Sequence, residues 1–357
     1  MTRDGIAPLR MRTQRLWGPR FDTPREVVRW LTALQAQEFP MAKWSVAQRT
    51  RGASKADVEQ AFADGVIVRT HVLRPTWHFA LGEDIRWLLK ATAPRVNALN
   101  AYYNWQHKLD TKLFAKSNSI IGKALEGGAH LTRSELAAVL RRGGIRATGN
   151  RLAYIVMRAE LDAIVCSGAM RGKQHTYALL DERVPRGKTL NREEALAELA
   201  RRYFTSRGPA TLNDFARWSS VTAAEGRDAL ALVGKSLESE VIAGRTFWFG
   251  SAPPPRASTS RKPRVDLVQG YDEIIMSYSE SRDASFTPVD SRLLHAVLLD
   301  GRMIGKWKPV ARRNSVVLKT VLDRALTRVE RHALGAAVDA YTSFAGVPLT
   351  VARTRGK

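Results

Sequence analysis

The chain has 357 residues, 44% hydrophobic and 25% charged, which is enough for sizeable cores and points to two or three domains. Its 57 Lys and Arg against 34 Asp and Glu leave a net charge of +23, which favours a polyanion as partner. The single cysteine excludes a disulfide framework, and no apolar run approaches the ~20 residues of a membrane span.

Residues 8–17 (PLRMRTQRLW) read as a short basic helix offering Arg10, Arg12 and Arg15 to phosphates. A second helix is expected over about 24–35. Thr23 is its cap, Pro24 its first residue and Glu26 the partner of a capping box, with Val27, Val28, Leu31 and Leu34 as its apolar stripe. Gln35 and Gln37 follow. On a helix they would face opposite ways; on an extended or turning segment they share a side, so cooperation requires the helix to end there. Pro40 forces the chain to turn before a third helix at about 41–50, which carries Lys43 and Arg49. A fourth helix starts at Ser54, and the alternation from Val66 to Leu73 then predicts a strand, broken at Pro75 before another. Short helices followed by two strands is the order of a winged helix-turn-helix.

Helical segments continue to Leu125, with a break expected at Pro94. The order then repeats. Thr132 and Glu135 open one helix, a longer one carries Cys166 in an apolar helical run, and a hairpin turns at Arg171-Gly172-Lys173. A third round has Thr211 as cap and a hairpin turning at Ala243-Gly244-Arg245. Residues 251–264, rich in proline, serine and cations, read as a linker. Beyond it the pattern turns β, with Asp300-Gly301 as a hairpin signal and a closing helix. The expected fold is therefore α+β: three tandem winged units over residues 1–129 (with a helical extension), 130–190 and 191–250, then an α+β region over 265–357.

The sequence carries no Walker loop, dinucleotide glycine fingerprint, nucleophile elbow or metal-ligand cluster, so no metal or other cofactor is expected. Taken singly, the remaining features have plain explanations. Gln35 and Gln37 could be helix surface, Trp77 and His78 core, and Tyr271-Asp272-Glu273 either an acid–base pair or simply a hydrogen-bonded strand end. Taken together, and in order, LTALQAQEFPMAKWSVAQR, VRTHVLRPTWHFALGEDIRWLL, RGPATLNDFARWSS, GYDEIIMSYSESR and HAVLLDGRMIGKWK resemble the AlkZ family of bacterial DNA glycosylases. The resemblance spans about residues 8–340 and falls in the branch with glutamine–any–glutamine. It implies three winged helices curved around double-stranded DNA, with Gln35 and Gln37 as catalytic residues on a concave, positive face. It also implies a β-hairpin that probes the DNA, for which the Asp300-Gly301 hairpin with Arg302, Lys306 and Lys308 is the candidate.

Two amides suit a restricted chemistry. An N7-alkylated guanine already carries positive charge and leaves as a neutral base. A glutamine oxygen can then suffice to orient water at C1′ and to face the developing sugar cation, although it is too weak a base for ordinary purines. The expected activity is hydrolysis of cationic N7-alkylated purines, including bulky natural-product adducts or interstrand crosslinks, in repair or antibiotic self-resistance. Further contacts to substrate or DNA are expected from Lys43, Arg49, Arg74, Thr76, Trp77, His78, Arg171, Lys173 and Arg245. The N-terminus lacks a signal-peptide core, so a cytoplasmic, nucleoid-associated monomer is expected. The alternative is a winged-helix regulator or scaffold that binds DNA without catalysis.

Overall fold

Thr23 opens the helix Pro24–Leu31 through a reciprocal capping box. Its hydroxyl accepts from the Glu26 N–H, while the Glu26 carboxylate accepts from the Thr23 N–H. The helix ends at Leu31, four residues before the expected limit. Thr32 there takes φ +63° and ψ −52°, close to the rare γ-turn with positive φ. That one residue converts helix into strand: Ala33–Gln35 pairs antiparallel with Trp77–Leu81, which in turn pairs with Ile67–His71. Leu34, the last member of the helical stripe, is still buried, but from a strand. The computed structural model describes residues 5–251, 262–286, 295–313 and 315–355. Most of the expected linker, residues 252–261, lies outside them.

Helices Phe39–Ala47 and Lys55–Ala63 complete the first group, the former with Pro40 in its first turn. Helix Ile85–Leu99 runs through Pro94 without the expected break. Pro94 lies on the exposed face, and buried Leu88, Leu89, Thr92, Ala93 and Val96 hold the helix to the core on both sides of it. In the second group Thr132 and Glu135 cap Arg133–Arg142, followed by Gly149–Leu161 and a small sheet of Leu131–Thr132, Thr176–Leu179 and Val165–Ser167. Cys166 sits in that sheet, not in a helix, because the chain turns after Leu161 with Ala163 at φ +58°. The third group has helices Arg192–Arg207, Leu212–Ser219 and Ala223–Val233. A hairpin, Leu237–Ile242 with Arg245–Gly250, turns on Ala243 and Gly244, both at positive φ as a tight two-residue turn requires.

The last region is a five-stranded sheet in the order 349–355, 316–322, 302–311, 295–299, 265–268, with helix Arg328–Ala345 against it. The final strand, Leu349–Arg355, joins parallel to Val316–Leu322, a pairing the sequence did not suggest.

The cores cut across chain order. One gathers Leu88 and Ala91, Tyr203, Phe204 and Trp218 of the third group, and Val268 and Tyr278. A second joins Val27, Phe39, Trp44 and Phe79 to Val297, Trp307 and Tyr341. The third packs Leu136 and Ile155 against Phe114 and Ile121 of helix Thr111–Leu125. Ala33 belongs to the first core and Leu34 and Ala36 to the second, so the glutamine strand lies between the two.

Candidate active site around the glutamine strand

Because Leu34 and Ala36 enter one core, the alternation of an extended chain sends Gln35 and Gln37 to the other side. The pairing continues one residue past the strand, where the Ala36 N–H donates to the Trp77 carbonyl at 2.7 Å. The two amides have different surroundings. Gln35 is 4% exposed, and its Oε1 accepts from Arg74 Nη2 at 2.9 Å. Gln37 is exposed, and its Oε1 accepts only a long 3.4 Å bond from the Trp77 N–H. Both donors can only donate, so they fix which end of each amide is oxygen. Gln35 therefore has its oxygen capped by a cation, whereas Gln37 keeps its oxygen largely available.

The loop between the two long strands of this sheet builds the surroundings. Arg74 also donates to the Trp218 carbonyl at 2.7 Å and to His78 Nε2 at 3.2 Å, tying first and third groups together. His78 is fully buried opposite Gln35, and burial, then the nearby Arg74 charge, holds its pKa well below the ordinary histidine value. His78 is thus a neutral acceptor for Arg74. Thr76 Oγ1 is buried without a hydrogen-bond partner. The Trp77 indole lies under the Arg69 guanidinium, 4.2 Å from its centroid, and against the tilted His71 imidazole at 4.6 Å.

Arg69, His71 and Arg207 were not anticipated; Arg69 and Arg207, with Glu273, hold the glutamine segment, and His71 contacts Trp77. Arg69 Nε donates to the Ala36 carbonyl at 2.9 Å and Nη2 to the Gln37 carbonyl at 3.4 Å; burial lowers its pKa to about 10. His71 Nδ1 is bonded to the buried Glu160 carboxylate. The signal was present in VRTH, where a strand places Arg69 and His71 on one face, but alternation alone cannot say that this polar face is buried. On the outer edge of the strand, Glu273 Oε1 accepts from the Gln35 N–H at 3.0 Å and Arg207 Nη2 donates to the Ala33 carbonyl at 2.8 Å. Arg207 and Glu273 pair at 2.9 Å, both buried, and Trp218 Nε1 and Ser277 Oγ also donate to that carboxylate. Asp272 is equally buried. Burial opposes its charge, but the twofold bond from Arg49, at 2.7 and 2.9 Å, holds its pKa below the usual value.

The expected DNA contacts divide accordingly. Arg49 is 0% exposed and serves Asp272, so it is a core cation that cannot reach a phosphate. Lys43 is 4% exposed, lies over the Phe39 ring and pairs with Glu59. Arg171 and Lys173 are exposed on the 168–176 turn, where Arg171 pairs with Glu135 at 2.7 Å. That turn abuts the site, since His175 packs edge-on to Phe39 at 4.8 Å and the Arg69 N–H donates to Ser167 Oγ. Arg245 and Arg302 line a separate cleft with Ile6, Arg10 and Tyr278. The Asp300-Gly301 turn forms as expected, with φ +49° and +80°, but it does not project. Its backbone pairs with Arg264, and Gly301 lies against Met11 and Trp17. The opposite end of the same long strand is the open one. Arg312 and Arg313 are exposed at its turn, and Lys308 stands directly across from Lys319, both exposed. Like charges so placed repel each other and would be relieved by an anion.

Among the described residues no group of three or more His, Cys, Asp or Glu is placed to hold a metal, and no helix is long and apolar enough to cross a membrane. Of the carboxylates beside the glutamines, Glu273 bridges the Gln35 N–H and Arg207, and Glu38, with its pKa raised by burial, has Oε1 3.7 Å from His295 Nε2 and a buried Oε2 without a hydrogen-bond partner.

A mixed helix–sheet body that presents paired amides beside a cationic surface fits the class of DNA glycosylases. The model of the AlkZ-like DNA glycosylase family matches residues 28–344, and the chain belongs to that family. A relative described as the interstrand DNA cross-link repair glycosylase of Streptomyces sahachiroi is 23% identical over 308 residues, covering 80% of this chain and 82% of the relative. The solved structure of the Streptomyces sahachiroi DNA glycosylase AlkZ has the same fold, with a TM-score of 0.82 over 99% of this chain and 100% of that one at 21% identity.

Proposed function

We propose that the protein is a monofunctional glycosylase that hydrolyses the N-glycosidic bond of cationic N7-alkylated purines in double-stranded DNA, bulky adducts and interstrand crosslinks included. The observation that carries this reading is the asymmetry of the glutamine pair. Gln37 offers an exposed amide oxygen, oriented by the Trp77 N–H, that can hold water and face a developing sugar cation. Gln35, buried and with its oxygen held by Arg74, serves to fix the strand and the rim of the site. Glu273 is fixed by Arg207, Trp218 and Ser277, and an amide is too weak a base for neutral purines, which in this reading restricts the enzyme to leaving groups that already carry charge.

In this reading the three helix-plus-sheet groups act as winged helix-turn-helix units, divided as the sequence suggests, and they present a concave face to the duplex. The hairpin that meets DNA is the Arg302–Ala311 and Val316–Leu322 pair, through Lys308, Lys319, Arg312 and Arg313 rather than through Asp300-Gly301. Lys173 and Arg171 flank the site on the other side. The protein acts as a cytoplasmic, nucleoid-associated monomer in repair of alkylated DNA or self-resistance to an alkylating product. Incubation with duplexes containing N7-methylguanine or a bulky N7-alkylguanine should release free base and leave abasic sites, while uracil and mismatched bases stay in place. Failure to release any cationic adduct sinks the reading.

A further inference from the structure

The three large aromatic side chains that stand exposed among the described residues all lie in one six-residue helix, Ala101–Gln106. Tyr102 is 64% exposed, Tyr103 45% and Trp105 74%. The helix buries none of its residues, so core packing does not account for it, and it is far too short to be stable alone. It is held through its rings. Tyr103 stacks on Tyr154 with centroids 5.4 Å apart and planes at 14°, and Tyr102 lies 5.5 Å from Tyr103 and 6.2 Å from Trp105. The result is one continuous aromatic surface, left open at the Tyr102 and Trp105 end.

The chain on either side of it carries mostly one sign of charge. Residues 95–116 contain Arg95, Lys108, Lys112 and Lys116 against a single acid, Asp110. All four cations are exposed, and the Asp110 carboxylate is taken up in capping the next helix through the Leu113 N–H. Solvent-facing rings beside unpaired cations are the chemistry that holds single-stranded nucleic acid, rings taking bases and cations taking phosphates. One helix also connects the surface to the glutamine site. Tyr154 shares helix Gly149–Leu161 with Glu160, six residues and about 9 Å further on, and the Glu160 carboxylate holds the His71 ring that backs Trp77.

We propose that Tyr102 and Trp105 form an accessory site for unpaired nucleobases of the DNA strand, separate from the glutamines. The proposal takes its partner class from the glycosylase reading. The test uses the full chain and its Tyr102→Ala/Trp105→Ala variant, with binding followed by fluorescence anisotropy on an oligothymidylate, an intact duplex and the same duplex with an unpaired bulge. The variant should bind the oligothymidylate and the bulged duplex at least about tenfold more weakly. It should keep its affinity for the intact duplex and its melting temperature, because the ring that anchors the helix, Tyr103 on Tyr154, is left in place. Trp105→Phe, which retains a ring face, should keep most of the affinity. Equal loss on all three DNAs, or no loss on any, overturns the proposal. So does a wild-type chain that self-associates in sedimentation while the variant does not. A wild-type chain that binds none of the three DNAs overturns the glycosylase reading as well, whereas normal duplex binding with an indifferent variant overturns this proposal alone.

Discussion

Gln35 and Gln37 look equivalent in the sequence and are not equivalent in the structure. Removing Gln35 leaves a part-buried Arg74 without one of its acceptors, and an unmet buried donor costs about 1–3 kcal/mol. Removing Gln37 leaves only an exposed N–H that water can satisfy. Gln37→Ala should therefore lower single-turnover excision of an N7-alkylguanine at least about tenfold, or 1.4 kcal/mol of barrier, with an unchanged melting temperature. Gln35→Ala should lower both rate and melting temperature. Equal melting shifts in the two variants would show that the asymmetry is not real. The sequence made the pair legible as a pair, through its spacing and the resemblance. It could not rank the two members, because the rank depends on Arg74, which arrives from a loop 39 residues further along the chain.

At the scale of elements, the decisive joint is Thr32. A β-branched residue at φ +63° is strained, at a cost of about 1–3 kcal/mol, and its buried hydroxyl has no hydrogen-bond partner. Glycine takes positive φ freely but loses about 0.5–1 kcal/mol of chain entropy, so relief should win. Thr32→Gly is expected to raise the stability read from urea unfolding by about 1 kcal/mol; a loss of stability would mean that the threonine side chain contributes packing that outweighs its strain. The capping boxes at Thr23 and Thr132 and the two-residue turns at Ala243-Gly244 and Asp300-Gly301 were readable because each depends on neighbours in sequence. The end of the second helix and the place of Cys166 were not. In both, the apolar pattern runs on past a single positive-φ residue, and nothing in the pattern marks that residue.

At the scale of the whole molecule, Glu273 is the meeting point. It receives the Gln35 N–H from the first group, Arg207 and Trp218 from the third, and Ser277 from its own region. Glu273→Ala would strand the fully buried Arg207 charge, and breaking such a pair costs about 3–5 kcal/mol. Urea unfolding should show a loss of that order, and a loss under about 1 kcal/mol would mean that solvent reaches Arg207. The sequence presented Tyr271-Asp272-Glu273 as either an acid–base pair or a structural end. Asp272 and Glu273 prove to be anchors, a distinction that only long-range contacts can make.

The edge of the glutamine strand has a consequence of its own. A sheet edge normally ends at another strand or at water; here one arginine and one glutamate stand in for the missing strand, taking a carbonyl from Ala33 and an amide proton from Gln35. Since that counterfeit strand comes from residues 207 and 273, the Gln35 amide proton is shielded only while distant parts of the chain stay docked. Its rate of exchange with deuterated solvent is thus a built-in gauge of assembly, reading at the glutamine strand whether the rest of the protein is in place.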